Sequence, residues 1–375
     1  MLEDSPIFSS TDYTFMSQAL KLAEKGLYTT SPNPRVGCVI VKNNRVIGSG
    51  WHERAGQPHA EINALNSAGV ETKNATVYVT LEPCSHYGRT PPCAQALINA
   101  GVAKVIIAML DPNPLVAGSG VTMLRQAGII VQAGLLEEQA RVLNIGFISR
   151  MIRHRPWVRL KIAASLDGKT ALKNGESQWI TSEAARLDGH RLRAISCAIL
   201  TGIGTVKKDD PRLTIRYIET SRQPLRVVID SRLEISVNAR LLQGEKILIF
   251  SAQRNESRIK SLEEKGADII IMPGVGGKVD LTQMMVKLTD FEINEVLVES
   301  GSTLGGAMVQ EGLVDELVIY LAPYVLGDKA QGMLSLPMLT KLSHKRKLEI
   351  TDLRVIGEDI RVTARFSSMN SMTNP

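Results

Sequence analysis

Apolar and polar positions alternate along this chain in two successive series of strands and helices. Phe15, Ala19, Leu22 and Ala23 recur at the three- and four-residue steps of a helical stripe, and Gly26 supplies a stop. Ser31-Pro32-Asn33-Pro34 is a rigid turn, after which residues 36–41 and 46–50 read as a hairpin around Lys42-Asn43-Asn44-Arg45. Pro58 ends that extended stretch, and a helix is predicted over 60–68, a strand over 76–80, a helix over 93–100 and a strand over 104–110. Such alternation predicts a three-layer α/β domain.

The series restarts after Arg153-His154-Arg155-Pro156, a short basic stretch marked by proline. Strand-like runs follow at 158–163, 198–200, 225–229, 246–250, 267–271, 295–298 and 316–321, with helical patterns between several of them. No repeat of fixed period occurs, and the polar tail 367–375 is expected to fray. The expected domains are 1–150 and 156–367, both α/β. A chain of 375 residues is long for one core, which agrees with two.

The net charge of +6 suits an anionic ligand such as a phosphate and is too diffuse to argue for nucleic acid. The most basic stretch, 341–347, reads as a solvated loop. Met1-Leu2-Glu3-Asp4-Ser5-Pro6 lacks the basic start and apolar stretch of a signal peptide, and apolar runs such as 105–110 have strand length only. The four cysteines, at 38, 84, 93 and 197, suggest no disulfide framework, so a cytoplasmic, membrane-free protein is expected. Cys38 and Cys197 sit in apolar segments and read as small buried hydrophobes.

The other two cysteines carry chemistry. His59-Ala60-Glu61 is followed by Pro83-Cys84 and Cys93. One imidazole and two thiolates give a tetrahedral zinc three protein bonds and leave the fourth position to water. Zinc lowers the pKa of that water toward neutrality, and Glu61 can accept its proton and deliver it to a ring nitrogen and a departing ammonia. H-x-E with P-C and a second Cys is the pattern of nucleobase deaminases. Their usual P-C-x-x-C is stretched here, with eight residues between Cys84 and Cys93. His59 and Cys93 fall at predicted helix starts, where the dipole favours thiolate. A structural zinc site would need a fourth protein ligand, and His86 is the nearby residue that could close one. His52, at a strand end, and Asn33, in the Pro-Asn-Pro turn, could each contact substrate or serve structure.

In the second series, the strand Glu295-Val296-Leu297-Val298-Glu299 leads into Ser300-Gly301-Ser302-Thr303-Leu304-Gly305-Gly306 and a helix predicted over 307–311. A Gly-rich turn at a helix start offers N–H groups and a dipole to an anion. The spacing is not G-x-G-x-x-G and no acidic residue sits about twenty positions on, which disfavours a Rossmann dinucleotide fold. Polar turns also follow the strands before Ala164-Ser165-Leu166-Asp167-Gly168-Lys169 and Thr201-Gly202-Ile203-Gly204-Thr205, as the rim of a ligand crevice would require.

These segments together resemble a family. Ser31-Pro32-Asn33-Pro34-x-Val36-Gly37, Pro58-His59-Ala60-Glu61 and the stretch from Glu82-Pro83-Cys84-Ser85-His86 to Thr90-Pro91-Pro92-Cys93 are similar to the bifunctional deaminase/reductases of riboflavin biosynthesis. So are Lys161-x-Ala163-x-Ser165-Leu166-Asp167-Gly168, Ser177-Gln178-Trp179-Ile180-Thr181, Asp209-Asp210-Pro211-x-Leu213-Thr214-x-Arg216 and Val298-Glu299-Ser300-Gly301. The resemblance covers roughly residues 10 to 366. It implies a cytidine-deaminase-like domain followed by a dihydrofolate-reductase-like domain. The first would deaminate 2,5-diamino-6-(5-phosphoribosylamino)pyrimidin-4-one; the second would use NADPH to reduce the ribosyl group of the product to ribityl.

By the same resemblance Ala163, Trp179, Thr205, Asp209, Ser231 and the turn Gly301, Ser302, Thr303, Leu304, Gly305, Gly306 and Ala307 would line the NADPH site. Ser177, Arg193, Leu213, Arg216 and Glu299 would hold the substrate, whose phosphate an arginine can grip with paired hydrogen bonds. Lys161 and Glu299, on strands bordering the crevice, are the expected proton handlers. A homodimer or larger homo-oligomer is also implied. Three rivals stand beside this reading: a deaminase of bases in nucleic acid, a free-nucleotide deaminase with an unrelated partner domain, and a non-catalytic zinc module that binds nucleotides. The first would need an electropositive, aromatic channel, and aromatics are only 4% of the chain. The last has no need of Glu61.

Overall fold

The computed structural model describes residues 8–86, 91–114, 116–244 and 246–366. The expectations for the N-terminal hexapeptide, for Tyr87 to Thr90 between the two cysteines and for the tail 367–375 fall outside the described residues. The chain divides into two compact units, Met1–His154 and Arg155–Pro375.

The first unit runs α1 (Ser10–Glu24), β1 (Gly37–Lys42), β2 (Arg45–Trp51), α2 (Ala60–Ala68), β3 (Thr76–Leu81), α3 (Cys93–Asn99), β4 (Lys104–Met109), α4 (Ser119–Gln126), β5 (Ile130–Ala133), α5 (Glu137–Leu143) and α6 (Ile145–Arg153). Its sheet has the order β2-β1-β3-β4-β5, antiparallel across β2, β1 and β3 and parallel from β3 to β5. Two close approaches set helices on opposite faces. A Cβ on Gly37 would meet the Ala19 carbonyl of α1 at 2.0 Å, whereas one on Gly50, the cross-strand partner of neighbouring Cys38, would meet the Ala64 nitrogen of α2 at 2.6 Å. Successive residues of a strand face opposite sides, so α1 and α2 sandwich the sheet. The core between them is aliphatic, including Met16, Ile40, Val79, Leu97, Ile106 and Ile107.

The second unit opens with β6 (Trp157–Ser165) and β7 (Lys169–Ala171), then α7 (Glu183–Ile195), β8 (Ala198–Gly202), α8 (Ile203–Asp209) and β9 (Leu225–Ile229). It continues with β10 (Ile247–Ser251), α9 (Glu256–Glu263), β11 (Ala267–Ile271), α10 (Leu281–Lys287), β12 (Glu295–Glu299) and α11 (Ser302–Gln310). The last elements are β13 (Glu316–Ala322), β14 (Gln331–Gly332), β15 (Leu348–Ile356) and β16 (Asp359–Phe366). A nine-stranded sheet has the order β11-β10-β9-β8-β12-β6-β13-β16-β15 and is parallel as far as β13. Both of its faces are covered, which is why its inner strands read as unbroken apolar runs. On β9 and β10, Val227, Ile229, Leu248 and Phe250 join one core while Val228, Ile247 and Ile249 join another.

The sequence pattern misses β5, β7, β14, β15 and β16. β5 and β7 are short, and β15 lies at the open edge with most of its residues exposed, so neither carries a buried alternation to read. The helix after β12 also begins earlier than expected, at Ser302, so most of the Gly-rich segment is its first turns and only Ser300 and Gly301 form the turn. No helix among the described residues is long and apolar enough to cross a membrane.

Candidate functional site

Three elements of the first unit bring His59, Cys84 and Cys93 together. His59 is the N-cap of α2, Cys93 is the first residue of α3, and Cys84 follows β3 through Glu82-Pro83. His59 Nδ1 lies 3.7 Å from Cys84 Sγ and 3.3 Å from Cys93 Sγ, and the three ligand atoms all lie within 4.8 Å of one another. A tetrahedral zinc with ordinary Zn–N and Zn–S bonds separates such atoms by about 3.5–3.8 Å, so the donor set fits the ion. His86 is not part of this group, and among the described residues no fourth protein ligand closes it.

Local electrostatics favour thiolate at Cys84. The Cys93 thiol donates to it, His59 bonds it, and the Cys93 backbone N–H donates at 3.3 Å; together they hold Cys84 down to about 4. Cys93, bonded to that thiolate and buried, is pushed up instead. Glu61 on α2 is 3% exposed, and burial raises its carboxyl to about 7. A carboxyl titrating there can both take and give a proton near neutral pH.

His52 and Asn33 form the flank. His52 Nδ1 lies 3.1 Å from the Pro58 carbonyl and Nε2 3.1 Å from Asn33 Nδ2, so the ring donates to the first and accepts from the second. Both nitrogens of His52 are thus held within the protein. Among the described residues the side-chain oxygen of Asn33 takes no hydrogen bond. Sequence reading gave no role to Glu82. Its buried carboxylate accepts backbone N–H groups of Asp111 (3.1 Å), Gly118 (3.0 Å), Gly120 (2.9 Å) and Val121 (3.2 Å). It thereby ties Asp111, Gly118 and the first turn of α4 to the strand end that carries Cys84. Its place beside Pro83-Cys84 was the only signal available.

In the second unit the carboxyl ends of β6, β8, β9 and β12 open into one crevice of about 2090 Å³, large enough for two ligands. Lys161 and Ala163 line it from β6, Glu299 from β12, and Gly301, Ser302, Thr303, Leu304, Gly305 and Ala307 from the start of α11. Ser177, Trp179 and Arg193 come from the segment before α7 and from α7; Thr205 and Asp209 come from α8; Leu213, Arg216 and Ser231 come from loops beyond. Gly306 does not line the crevice: a Cβ there would meet the Ser335 carbonyl at 2.1 Å, so its hydrogen serves close packing of 335 on α11.

Arg193 donates from Nε and Nη2 to the two oxygens of Glu299 at 2.6 and 2.9 Å, and from Nη1 to Thr214 O at 3.0 Å. Although burial opposes ionisation, Arg193 and Lys161 hold the Glu299 carboxyl down to about 2. Burial lowers Lys161, with Glu299 opposing. Arg186 stacks its guanidinium over the exposed Trp179 ring at 4.7 Å. His190, one helical turn before Arg193, is a crevice residue that the sequence did not single out, because a lone histidine on an amphipathic helix carries no pattern.

Residues 9–109 match the cytidine and deoxycytidylate deaminase zinc-binding region, and residues 156–362 match the RibD C-terminal domain. The chain is 48% identical over 361 residues to the riboflavin biosynthesis protein RibD of Escherichia coli K12, covering 93% of this chain and 98% of that one. It is 42% identical to the RibD of Aquifex aeolicus, over 93% of this chain and 97% of the relative. Among solved structures, RibD of Acinetobacter baumannii superposes with a TM-score of 0.89 at 43% identity, covering 95% of this chain and 99% of that one. The diaminohydroxyphosphoribosylaminopyrimidine deaminase/5-amino-6-(5-phosphoribosylamino)uracil reductase of Thermotoga maritima gives 0.84 at 34% identity with the same coverage.

Proposed function

From the premise that this chain belongs to the RibD family, the bifunctional deaminase/reductases of riboflavin biosynthesis, we propose how its residues divide the two reactions. The protein is a zinc-dependent deaminase and an NADPH-dependent reductase, with a cytidine-deaminase-like unit followed by a dihydrofolate-reductase-like unit. Residues 1–150 carry the deamination and 156–367 the reduction.

His59, Cys84 and Cys93 hold the zinc, which when bound brings the pKa of a water toward neutrality. Glu61 takes the proton of the attacking water, hands it to the pyrimidine ring nitrogen, and protonates the amino group as it leaves as ammonia. The cluster of His59, Cys84 and Cys93 beside the buried carboxyl of Glu61 is the observation that carries this reading.

In the crevice, NADPH supplies hydride to the sugar carbon when bound, and the ring oxygen released there needs a proton. The N–H groups at the start of α11 would hold a phosphate of the cofactor, and Ala163, Trp179, Thr205, Asp209 and Ser231 would line the rest of its site. Of the two expected proton handlers, Lys161 suits that task. Glu299 is held ionised by Arg193 and serves to anchor the substrate, together with Ser177, Leu213 and Arg216. Leu213 is buried, so its contribution comes from the main chain.

The protein acts in the cytoplasm as a homodimer or larger. In support of self-association, Ile350, Leu353 and Val355 on the open edge strand β15 are 63%, 64% and 73% exposed, an apolar surface that a second copy would cover. A monomeric mass in solution would remove that part. The main test is metal analysis with mass spectrometry of the product, with and without NADPH. A two-step mass change, the second step appearing only with NADPH, is expected; a single step, or turnover without zinc, would overturn the reading.

A further inference from the structure

The hydrogen bond on one ring nitrogen of His190 fixes the tautomer of a group inside the reductase crevice. Arg216 donates its backbone N–H to His190 Nδ1 at 3.1 Å. A nitrogen that accepts carries no proton, so the neutral ring bears its hydrogen on Nε2. His190 is 6% exposed and lines the crevice. Nε2 has no hydrogen-bond partner among the described residues, yet it is not one of the buried unpaired atoms; its N–H therefore opens to the crevice. Burial, Arg193 and Arg216 push the ring down to about 4, which keeps it neutral beside these cations.

The limb it grips is held mainly by its backbone. Leu213 and Tyr217 take left-handed conformations, with φ of 53° and 65°, which turn the chain back toward α7. Between them Arg193 bonds Thr214 O, Gln223 accepts the Ile215 N–H at 2.7 Å, and His190 accepts the Arg216 N–H. The Tyr217 ring stands edge-on to the imidazole at 5.3 Å. His190 and Arg193 lie one turn apart on α7, so the helix fixes the spacing of the Thr214 carbonyl and the Arg216 N–H that they bond.

We propose that His190 is a binding and positioning residue of the reductase: Nδ1 seats the Arg216 limb, and Nε2–H donates to an oxygen of the phosphoribosyl group. The assignment rests on the reading of this crevice as the substrate site. The ring's two nitrogens can be replaced one at a time. His190→Asn places an amide oxygen where Nδ1 was, His190→Gln places an amide N–H where Nε2 was, and His190→Leu supplies neither.

The three full-length variants are compared with the parent on 5-amino-6-(5-phosphoribosylamino)uracil and NADPH. NADPH affinity from fluorescence and deamination rate are the controls. Each neutral hydrogen bond lost is expected to raise KM about fivefold, so Asn and Gln each rise by about that factor and Leu by about thirtyfold. NADPH affinity and deamination stay as in the parent. A Leu variant within twofold of the parent KM overturns the proposal, as does a rise in KM that travels with an equal loss of NADPH affinity and no rescue by Asn or Gln. A parent protein that cannot reduce this substrate overturns the crevice reading itself.

Discussion

Glu299 and Lys161 are paired in register across the adjacent parallel strands β12 and β6, yet the Glu299 carboxylate binds Arg193 through both oxygens. The side chains of Arg193 and Glu299 are each 15% exposed, so removing one partner strands a charge that water can barely reach. Arg193→Met is expected to destabilise the protein by about 3 kcal/mol. Glu299→Gln added to it should recover part of that loss. Urea unfolding of the two single variants and the double tests this, and additive losses would show that the pair is not coupled.

Lys161→Met removes the proposed proton donor without changing length. Reduction should slow by about 10²- to 10⁴-fold, the usual worth of positioned proton transfer, with NADPH binding and deamination retained. Single-turnover NADPH oxidation measures it, and an unchanged rate would transfer the role to another group.

Glu61→Gln should lower deamination by at least about 10³-fold while zinc content stays near that of the parent. The variant should still reduce substrate that is already deaminated. Loss of metal in this variant would mean that Glu61 supports the cluster rather than the chemistry.

Cys93→Ala, or exhaustive chelation, should abolish deamination and leave NADPH-dependent reduction intact, because each unit carries its own core. Parallel loss of both activities on chelation would contradict that independence.

His190 also sets a pH dependence. Its folded pKa, about 4, lies below the ordinary 6.5, so between those values the unfolded chain takes up a proton that the folded one excludes. Its contribution is therefore complete above pH 6.5 and declines as pH falls to 4. The groups facing it are Arg193, Arg216, Glu299 and Lys161, of which only Glu299 opposes the shift. Thermal melts should fall more steeply over this window in the parent than in His190→Asn; superimposable profiles would refute it.

The sequence carried the zinc site well because its residues are few, chemically distinctive and close along the chain. His59, Glu61, Cys84 and Cys93 all occupy the helix and strand ends that periodicity predicts. The reductase site is spread over more than a hundred residues. The Arg193–Glu299 bond spans 106 positions, and neither partner has a local pattern that announces the other. Resemblance supplied most of that crevice, and Gly306, packed against residue 335, sits among glycines that face the cavity. His190 and Glu82 were missed for a related reason. Each acts on backbone N–H groups, and such contacts leave no mark in the identity of the residues contacted.

That last property has a consequence for variation in the deaminase unit. Because the hydrogens Glu82 accepts among the described residues are all main-chain, its hold on Asp111, Gly118, Gly120 and Val121 does not come from the side chains that stand there. Side chains at those anchor points can therefore change without loss of these bonds. The exceptions are Gly118, whose φ of 76° would strain any side chain, and Gly120, where a methyl group would fall 2.0 Å from the Pro83 carbonyl, one residue from a metal ligand. Diversity is open at Asp111 and Val121, and two glycines mark where it stops.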